Sequence, residues 1–393
     1  MSSRTERPVG KVSAQTMFYL LALGSGFMRA LSVAFDYVAL YIHEVTHGPG
    51  TLDVMVYGFG AQWVSFAVTV ASVALLSVKT GRGATKRPLG YSLDPDFGRL
   101  RLLPGKAMKY ALAAGAFAGI STTAYYYLIA GQGADSLLPF GQLVIVYLLV
   151  GDLMAEKDTP TIVEVQCVLS ILFGVILVGM NPDIGGLDPL VLLIVLLPMN
   201  LSSAFTTYYQ KKAKKHEISP GLAVDTLNLR VWSLLALNTV FSVGAFVIAD
   251  PTSWSTLAEV TSVLFVPMAL SSLATLLTIV MYVRALARGS MAIVNSLSAV
   301  SVVLGIPISM VGSLLAPDSV VFGPVSTDVL SWILKVVGVT LVVLGIVALE
   351  SSDVRAIVII NVGPMVGDIL PELFSIKGVE SASALAGKHD YLL

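Results

Sequence analysis

A short histidine motif near the N-terminus could carry chemistry. His43, Glu44 and His47 form an HExxH string, which on a helix places two imidazoles on one face for zinc and leaves a carboxylate to act as general base. Asp183 is the candidate third ligand. Against this interpretation, the sequence Gly-Pro-Gly at 48–50 ends the helix at once, so the second imidazole would lie on a frayed turn. A zinc metalloprotease embedded in a membrane is therefore the alternative, and our main expectation is a protein without metal, cofactor or enzyme activity.

Polar and charged side chains inside long apolar stretches form a second candidate group. Such groups are costly in a membrane span and usually line a cavity or a relay. Because guanidinium groups match carboxylates and phosphates, Arg29 and Arg230 predict an anionic solute. Alternatively, Arg29 pairs with Asp36, and Arg230 pairs with Asp225 or extends toward water. For the amides and tyrosines, interhelical hydrogen bonding is the competing role. The candidate solute-binding residues are Arg29, Arg230, Asn200, Asn228, Gln142, Tyr125 and Asn295.

The composition indicates that membrane-spanning helices position these residues. Hydrophobic residues make up 55% of the chain and charged residues 12%, with a mean hydropathy of +0.83, whereas soluble domains are about a quarter charged. A water-soluble fold of this size is excluded. About 20 apolar residues cross the hydrocarbon core, and the sequence holds ten such stretches. They lie near 15–42, 53–78, 108–130, 135–154, 161–180, 188–209, 222–249, 262–285, 290–315 and 328–349.

Lysine and arginine alternate along the connections between these stretches. Every second connection is basic, and the others carry neither residue. The basic segments are 1–14, 79–107, 155–160, 210–221, 286–289 and 350–393. Cytoplasmic loops carry such residues, so we expect a multi-pass protein of the cytoplasmic membrane with both termini in the cytoplasm, including the N-terminal segment 1–14. The lysines at 211–215 are interpreted as an orientation signal facing anionic lipid, and nucleic acid is not an expected partner.

The two halves of the chain carry related patterns. Tyr127–Pro139 (YLIAGQGADSLLP) and Tyr282–Val294 (YVRALARGSMAIV) share a Tyr, an Ala, a short turn of small residues and a new apolar run. Each leads into a span with proline and then into a span with two glycines. Five spans per half is an odd number, so related halves must sit inverted in the bilayer. We therefore predict two five-helix repeats, residues 15–180 and 188–349.

These features resemble the drug/metabolite transporter superfamily with its EamA-like repeats, which includes nucleotide-sugar and triose-phosphate carriers. The resemblance rests on an aromatic third span turning into a proline-containing fourth, on Glu156 closing it, and on the fifth span Leu169–Met180 (LSILFGVILVGM). It covers roughly residues 15–350. It implies an all-α polytopic membrane protein of ten transmembrane helices in two inverted repeats. It also implies a secondary transporter that binds its substrate near the midplane and works by alternating access. Together with the arginines, it predicts transport of a small anionic metabolite or amino-acid-like solute.

The last part of the chain, 355–393, is not membrane-like. Its pattern predicts a strand, an amphipathic helix at Val366–Ile376, and a second strand. With its GVES turn and its closing Gly387, Asp390 and Tyr391, it resembles the first βαβ half of the small-molecule-binding (RAM) domain of Lrp/AsnC-type regulators. A half-domain leaves sheet edges uncovered, so we expect a cytoplasmic segment that pairs as a homodimer and modulates transport. A membrane sensor or regulator is the further alternative.

Overall fold

The computed structural model describes most of the apolar part of the chain and a little of its C-terminal end. The described residues are 14–48, 52–80, 87–132, 141–152, 161–179, 189–219, 222–315, 329–352, 359–360, 383–384 and 391–392. Within them the protein is almost entirely helical. A helix, or a pair of helices in direct succession, lies in each of the ten stretches that the sequence predicts.

The helices are numbered in chain order. They are α1 Ala14–His47, α2 Val54–Leu76, α3 Gly105–Gln132, α4 Val144–Gly151, α5 Ile162–Gly179, α6 Pro189–Ile194, α7 Ser202–Lys215, α8 Thr226–Ile248, α9 Leu257–Val263, α10 Phe265–Leu286, α11 Met291–Ser298, α12 Val300–Leu315 and α13 Val329–Ser352. A π-helical turn at Val195–Leu201 joins α6 to α7. Short 3-10 turns lie at Leu89–Ser92, Gly141–Leu143 and Pro251–Thr256.

Length and composition suit several helices to a bilayer. Among the described residues, five helices are long and apolar enough to cross a membrane. They are most of α1, α2, the single run formed by α6 and α7 with the turn between them, α8, and α10. Four shorter apolar helices lie at Gly141–Gly151, Ile162–Leu177, Met291–Gly305 and Ile333–Ala348. The chain is therefore a helical protein of membrane character, in agreement with the composition.

Local capping determines where some of these helices begin. Asp53 precedes α2, and its carboxylate accepts hydrogen bonds from the backbone N–H groups of Met55 and Val56 at 2.9 and 3.2 Å. Ser290 accepts from the N–H of Ile293 at 3.2 Å at the start of α11. These oxygens satisfy backbone donors that the first turn of a helix leaves without an intrahelical partner.

The main helix contacts repeat with an offset of five stretches. The helix α1 packs along α10, and α3 packs along the run from the π-helical turn through α7. In the same way, α3 packs against α8, and α2 packs against α10. Suppose that each of the ten predicted stretches is exchanged with the stretch five places away. The contact of α1 with α10 then becomes that of α7 with α3, and the contact of α3 with α8 becomes that of α10 with α2. The pairs α2 with α8, α4 with α11, and α5 with α13 convert into themselves. The principal packing of the two halves is therefore equivalent.

Glycines permit the closest of these contacts. A Cβ atom on Gly115 of α3 would collide with the carbonyl oxygen of Ser233 in α8, and one on Gly119 would lie 2.8 Å from the carbonyl oxygen of Leu237. Gly115 and Gly119, four residues apart, therefore form a small-xxx-small contact with α8. Gly174 in α5 permits a similar close contact, because a Cβ atom on it would lie 2.6 Å from the carbonyl oxygen of Gly338 in α13.

Short strands complete the described structure. β1 Lys79–Thr80 pairs with β2 Arg87–Pro88, and β3 Glu217–Ser219 pairs with β4 Leu222–Ala223, both antiparallel. Near the C-terminus, β5 Ile359–Ile360, β6 Ser383–Ala384 and β7 Tyr391–Leu392 form an antiparallel sheet in the order β5-β7-β6. The predicted helix Val366–Ile376, and the predicted Gly387 and Asp390, lie outside the described residues.

Candidate solute-binding cavity

A polar cavity of about 440 Å³ lies among helices of both halves. Its wall comes from α1, α2 and α3 and the turn Gly141–Leu143 in the first half. In the second half it comes from the π-helical turn, α7, α8, α10 and α11. Of the side chains described, three charged ones line it, those of Arg29, Asp36 and Arg230. The volume is within the range of small-molecule sites.

The long helix α1 presents one polar face to this cavity. Ser25, Arg29, Ser32 and Asp36 all line it, and their spacing of four, three and four residues places them on one side of a helix. The remaining positions of α1 are mostly apolar. This spacing was available in the sequence, and it is a signal that could have added Ser25, Ser32 and Asp36 to the predicted site.

The helix α10 presents a matching face with the same spacing. Ser271, Thr275, Thr278 and Tyr282 line the cavity. The hydroxyl of Ser32 lies 2.9 Å from that of Ser271 and 2.8 Å from that of Thr275. Hydroxyl contacts therefore join the two faces beside the cavity.

Six of the seven predicted residues line the cavity. They are Arg29, Arg230, Asn200, Gln142, Tyr125 and Asn295. Asn228 lies elsewhere. Its amide nitrogen donates to the carboxylate of Asp225 at 3.0 Å and to the carbonyl oxygen of Arg99 at 2.8 Å, and its oxygen accepts from the N–H of Arg101 at 2.9 Å. Asn228 thus fastens a loop to the start of α8, and it has no place in the cavity wall.

Neither arginine of the cavity makes an ion pair within the described structure. Arg230 is 8% exposed, and its Nε atom is buried without a hydrogen-bond partner among the described residues. Asp225, the partner that the sequence suggested for it, lies 3.6 Å from Arg101 instead. Arg29 does not pair with Asp36, although it is accessible from the cavity. Both guanidinium groups are therefore available to a ligand in the cavity.

A hydrogen-bonded group of side chains joins three helices across one wall. The hydroxyl of Tyr282 in α10 lies 3.2 Å from that of Thr207 in α7 and donates to the side-chain oxygen of Asn295 in α11, also at 3.2 Å. Asn295 thus has an interhelical hydrogen bond as well as a position on the cavity wall. Both of the roles considered for it from the sequence are structurally compatible.

The π-helical turn gives Asn200 its position. Pro198 lies inside this turn, and proline cannot donate a backbone hydrogen bond. The hydroxyl of Ser121 in α3 donates to the carbonyl oxygen of Met199 at 2.8 Å, and the amide of Asn200 donates to that of Val195 at 2.7 Å. Turns of this kind are frequent at functional sites, and this one borders the cavity.

Sequence reasoning missed a buried ion cluster between the end of α7, the start of α8 and the loop before α3. The ammonium of Lys214 lies 3.1 Å from Asp94 and 2.7 Å from Asp96, and Asp94 also accepts hydrogen bonds from the N–H and hydroxyl of Thr226 at 2.7 and 2.5 Å. We call these four residues the Lys214 cluster. Burial alone would raise the pKa of Asp94, but Lys214 and the hydrogen bonds from Thr226 and Asp96 hold it below its ordinary value.

A second lysine of the same segment is also buried. Lys211 is 2% exposed and lies 3.5 Å from Asp152, which accepts hydrogen bonds from the N–H groups of Met291 and Ala292 at 3.1 and 2.9 Å. Asp152 thus binds the positive end of α11. The interpretation of the segment as a lipid-facing signal is wrong for Lys211 and Lys214. Their partners are 59 and 120 residues away in sequence, and no local pattern identifies them.

The HExxH residues lie at the end of α1. The rings of His43 and His47 stack with centroids 4.5 Å apart. The Nδ1 of His47 lies 2.7 Å from the hydroxyl of Thr46, and its Nε2 lies 3.2 Å from the carboxylate of Glu259. Within the described part of the chain, no three His, Cys, Asp or Glu side chains are grouped to hold a metal. Asp183 lies outside that part, so the predicted third ligand is not described.

Comparisons with known proteins bear on the fold. No family model and no curated protein matches the chain. Among solved structures, 27 chains match it. One of them is described only as "Crystal structure of protein". It aligns with 86% of this chain and 98% of its own length, at 13% sequence identity and a TM-score of 0.54. At this identity the similarity extends to the fold alone.

Proposed function

We propose that the protein is a secondary transporter that carries a small anionic solute across the cytoplasmic membrane by alternating access. The observation that supports this most is the polar cavity shared by Arg29 and Arg230. A charge placed at the centre of a membrane helix costs at least about 2.5–3.5 kcal/mol. Two arginines without a carboxylate partner in the described structure therefore favour a site whose ligand supplies the negative charge.

The chemistry of the cavity wall suits a carboxylate or a phosphate. A guanidinium presents a planar set of donors that matches the oxygen atoms of either group. Hydroxyl groups of α7 and α10 and the amides of Gln142 and Asn200 can hydrogen-bond the rest of the solute. A metabolite or an amino-acid-like molecule fits both the volume and these donors.

The repeated packing supports alternating access. The helices α1 and α7 belong to stretches related by the offset of five, and so do α3 and α10. All four helices line the cavity. In inverted-repeat transporters the site lies between the repeats, and one repeat moves against the other. Pro198 inside the π-helical turn and Pro307 inside α12 provide points where helices can bend. The resemblance to the drug/metabolite transporters supports the same proposal.

The proposal includes ten spans with both termini in the cytoplasm. Cysteine labelling tests it, in a Cys167→Ser background because Cys167 is the single cysteine. Ser255 and Glu217 are both exposed and lie in connections of opposite type. We expect Ser255→Cys to react with an impermeant maleimide in intact cells, and Glu217→Cys to react only after permeabilisation. Equal labelling of both in intact cells contradicts the topology.

Counterflow in proteoliposomes tests the transport proposal itself. Purified protein is assayed with lactate, glutamate, malate and glycerol 3-phosphate as probes. We expect exchange of at least one probe, and loss of most of that exchange in Arg230→Gln and in Arg29→Gln. Arg230→Lys retains the charge without the planar set of donors. Its exchange rate should lie between that of the unaltered protein and that of Arg230→Gln.

A matched control separates loss of the site from loss of the fold. Arg288 is exposed just after α10, and it is not among the residues that line the cavity. Arg288→Gln should therefore exchange the probe as the unaltered protein does. The site assignment is refuted if Arg29→Gln and Arg230→Gln remain folded and exchange an anionic probe at the unaltered rate.

We further propose that residues 355–393 pair as a dimer in the cytoplasm and adjust the transport rate when a small molecule binds. The resemblance of this segment to the RAM domain supports this proposal. Deletion of 355–393 should change the counterflow rate or its response to added amino acids. An unchanged rate and an unchanged response after deletion contradict it.

A further inference from the structure

Asp36 is a carboxylate of unusual surroundings. Among the described residues that line the cavity it is the only acidic one, and none of their Lys, Arg or His side chains forms an ion pair with it. Ser271 of α10 lies on the same cavity wall and faces Asp36. A carboxylate that shares a cavity with two arginines and pairs with neither has a role other than neutralising them.

The groups that face Asp36 suit both of its protonation states. From α10 it faces Ser271, and the titratable groups that face it from α2 and α3 are Tyr57 and Tyr126. The Tyr57 hydroxyl has no hydrogen-bond partner among the described residues. The helices α11 and α12, which also pack on α1, contain no Asp, Glu, Lys, Arg, His or Tyr. A hydroxyl donates to a carboxylate and accepts from a carboxylic acid. The Ser271 hydroxyl can therefore serve Asp36 as donor or as acceptor, without or with its proton.

The charge of Asp36 opposes the solute that the arginines attract. Asp36 follows Arg29 by seven residues, which is about 10 Å along the axis of α1. Two unit negative charges at about that separation repel enough to weaken anion binding on the order of ten-fold at the effective dielectric constant of a protein. Protonation of Asp36 removes this repulsion. Because coupling between two sites is reciprocal, a bound anion favours protonation by the same factor.

We propose that Asp36 binds the proton that is transported together with the anionic solute, so that the carrier is a proton symporter. The proton comes from water on one side, forms the O–H bond of the Asp36 carboxylic acid while the solute occupies the cavity, and returns to water on the other side. No other bond changes. This inference rests on the proposed function, since it concerns the same cavity.

Two transport measurements separate the inference from the proposal beneath it. Counterflow, with equal pH on both sides, tests whether the protein carries a probe such as lactate or glutamate. Accumulation of the same probe under an inward proton gradient tests the coupling. One proton per monovalent anion predicts accumulation of about ten-fold per pH unit in the unaltered protein. Absence of counterflow with every probe refutes the transporter, whereas counterflow without accumulation refutes only the coupling.

Variants assign the coupling to Asp36. Asp36→Asn should abolish accumulation, and Asp36→Glu should retain part of it. Asp250→Asn changes an exposed loop residue and should retain full accumulation. Binding provides a readout if Asp36→Asn no longer transports. The affinity of the unaltered protein for the probe, measured by thermal shift, should rise on the order of ten-fold from pH 8 to pH 5, and that of Asp36→Asn should not. Accumulation by Asp36→Asn, or an equal rise of its affinity, overturns the assignment.

Discussion

Replacement of Lys214 by methionine tests the role of the buried ion cluster. Lys214→Met keeps most of the side-chain volume and removes the ammonium that lies 3.1 Å from Asp94. Asp94 is 1% exposed, so the variant leaves a buried carboxylate without its cation. Removing one partner of a buried pair costs about 3–5 kcal/mol. The hydrogen bonds from Thr226 remain, so we expect the lower end, about 3 kcal/mol of unfolding free energy.

Denaturant titration of the purified protein in detergent micelles, followed by circular dichroism, measures this loss. Lys215→Met is the matched control, because Lys215 is exposed on the same turn of α7 and exposed charges contribute about 1 kcal/mol or less. The double variant Lys214→Met with Asp94→Asn removes both charges. It should be more stable than the sum of the two single losses predicts, by about 1–3 kcal/mol.

Equal and small losses in Lys214→Met and Lys215→Met, both below about 1 kcal/mol, refute the reasoning. Strictly additive single and double variants also refute it, because they show that Lys214 and Asp94 do not interact. In either case the interaction between Lys214 and Asp94 contributes no net stability, and the hydrogen bonds of Asp94 alone compensate its burial.

Three further predictions concern stability in the same titration. The pKa of Asp94 lies below its ordinary value of 3.8, so its contribution is complete above that pH and is lost as the pH falls below it. Asp94→Asn should therefore lose less stability than the unaltered protein between about pH 5 and pH 3, and equal losses contradict this. Gly115→Ala should cost about 1–3 kcal/mol because its Cβ meets Ser233, whereas Gly105→Ala, with open space around it, should be nearly neutral; similar losses exclude the tight contact. Asp53→Ala should cost about 1–2 kcal/mol by removing the cap of α2, and a loss equal to that of Asp53→Asn shows that the cap is not responsible.

The positions of the helices and most of the cavity residues followed from local properties of the chain. Apolar runs of sufficient length form helices wherever they occur, and capping residues such as Asp53 mark their starts. A polar side chain inside such a run is expensive to bury, which is why Arg29, Arg230 and Asn200 indicated a cavity before any contact was known. The helical spacing of Ser25, Arg29, Ser32 and Asp36 in α1 likewise indicated that Asp36 faces a cavity.

Only the tertiary structure decided which distant groups meet. Asn228 lies only two residues before the cavity residue Arg230, yet it hydrogen-bonds a loop more than 120 residues earlier. Lys214 belongs to a lysine-rich segment that is typical of a lipid-facing signal, but its side chain is buried against Asp94. Helix formation depends on the order of neighbouring residues, whereas ion pairing across 120 residues depends on the path of the whole chain. The sequence therefore determined the helices and the residues that need a polar cavity, and packing decided which charges remain available to a solute.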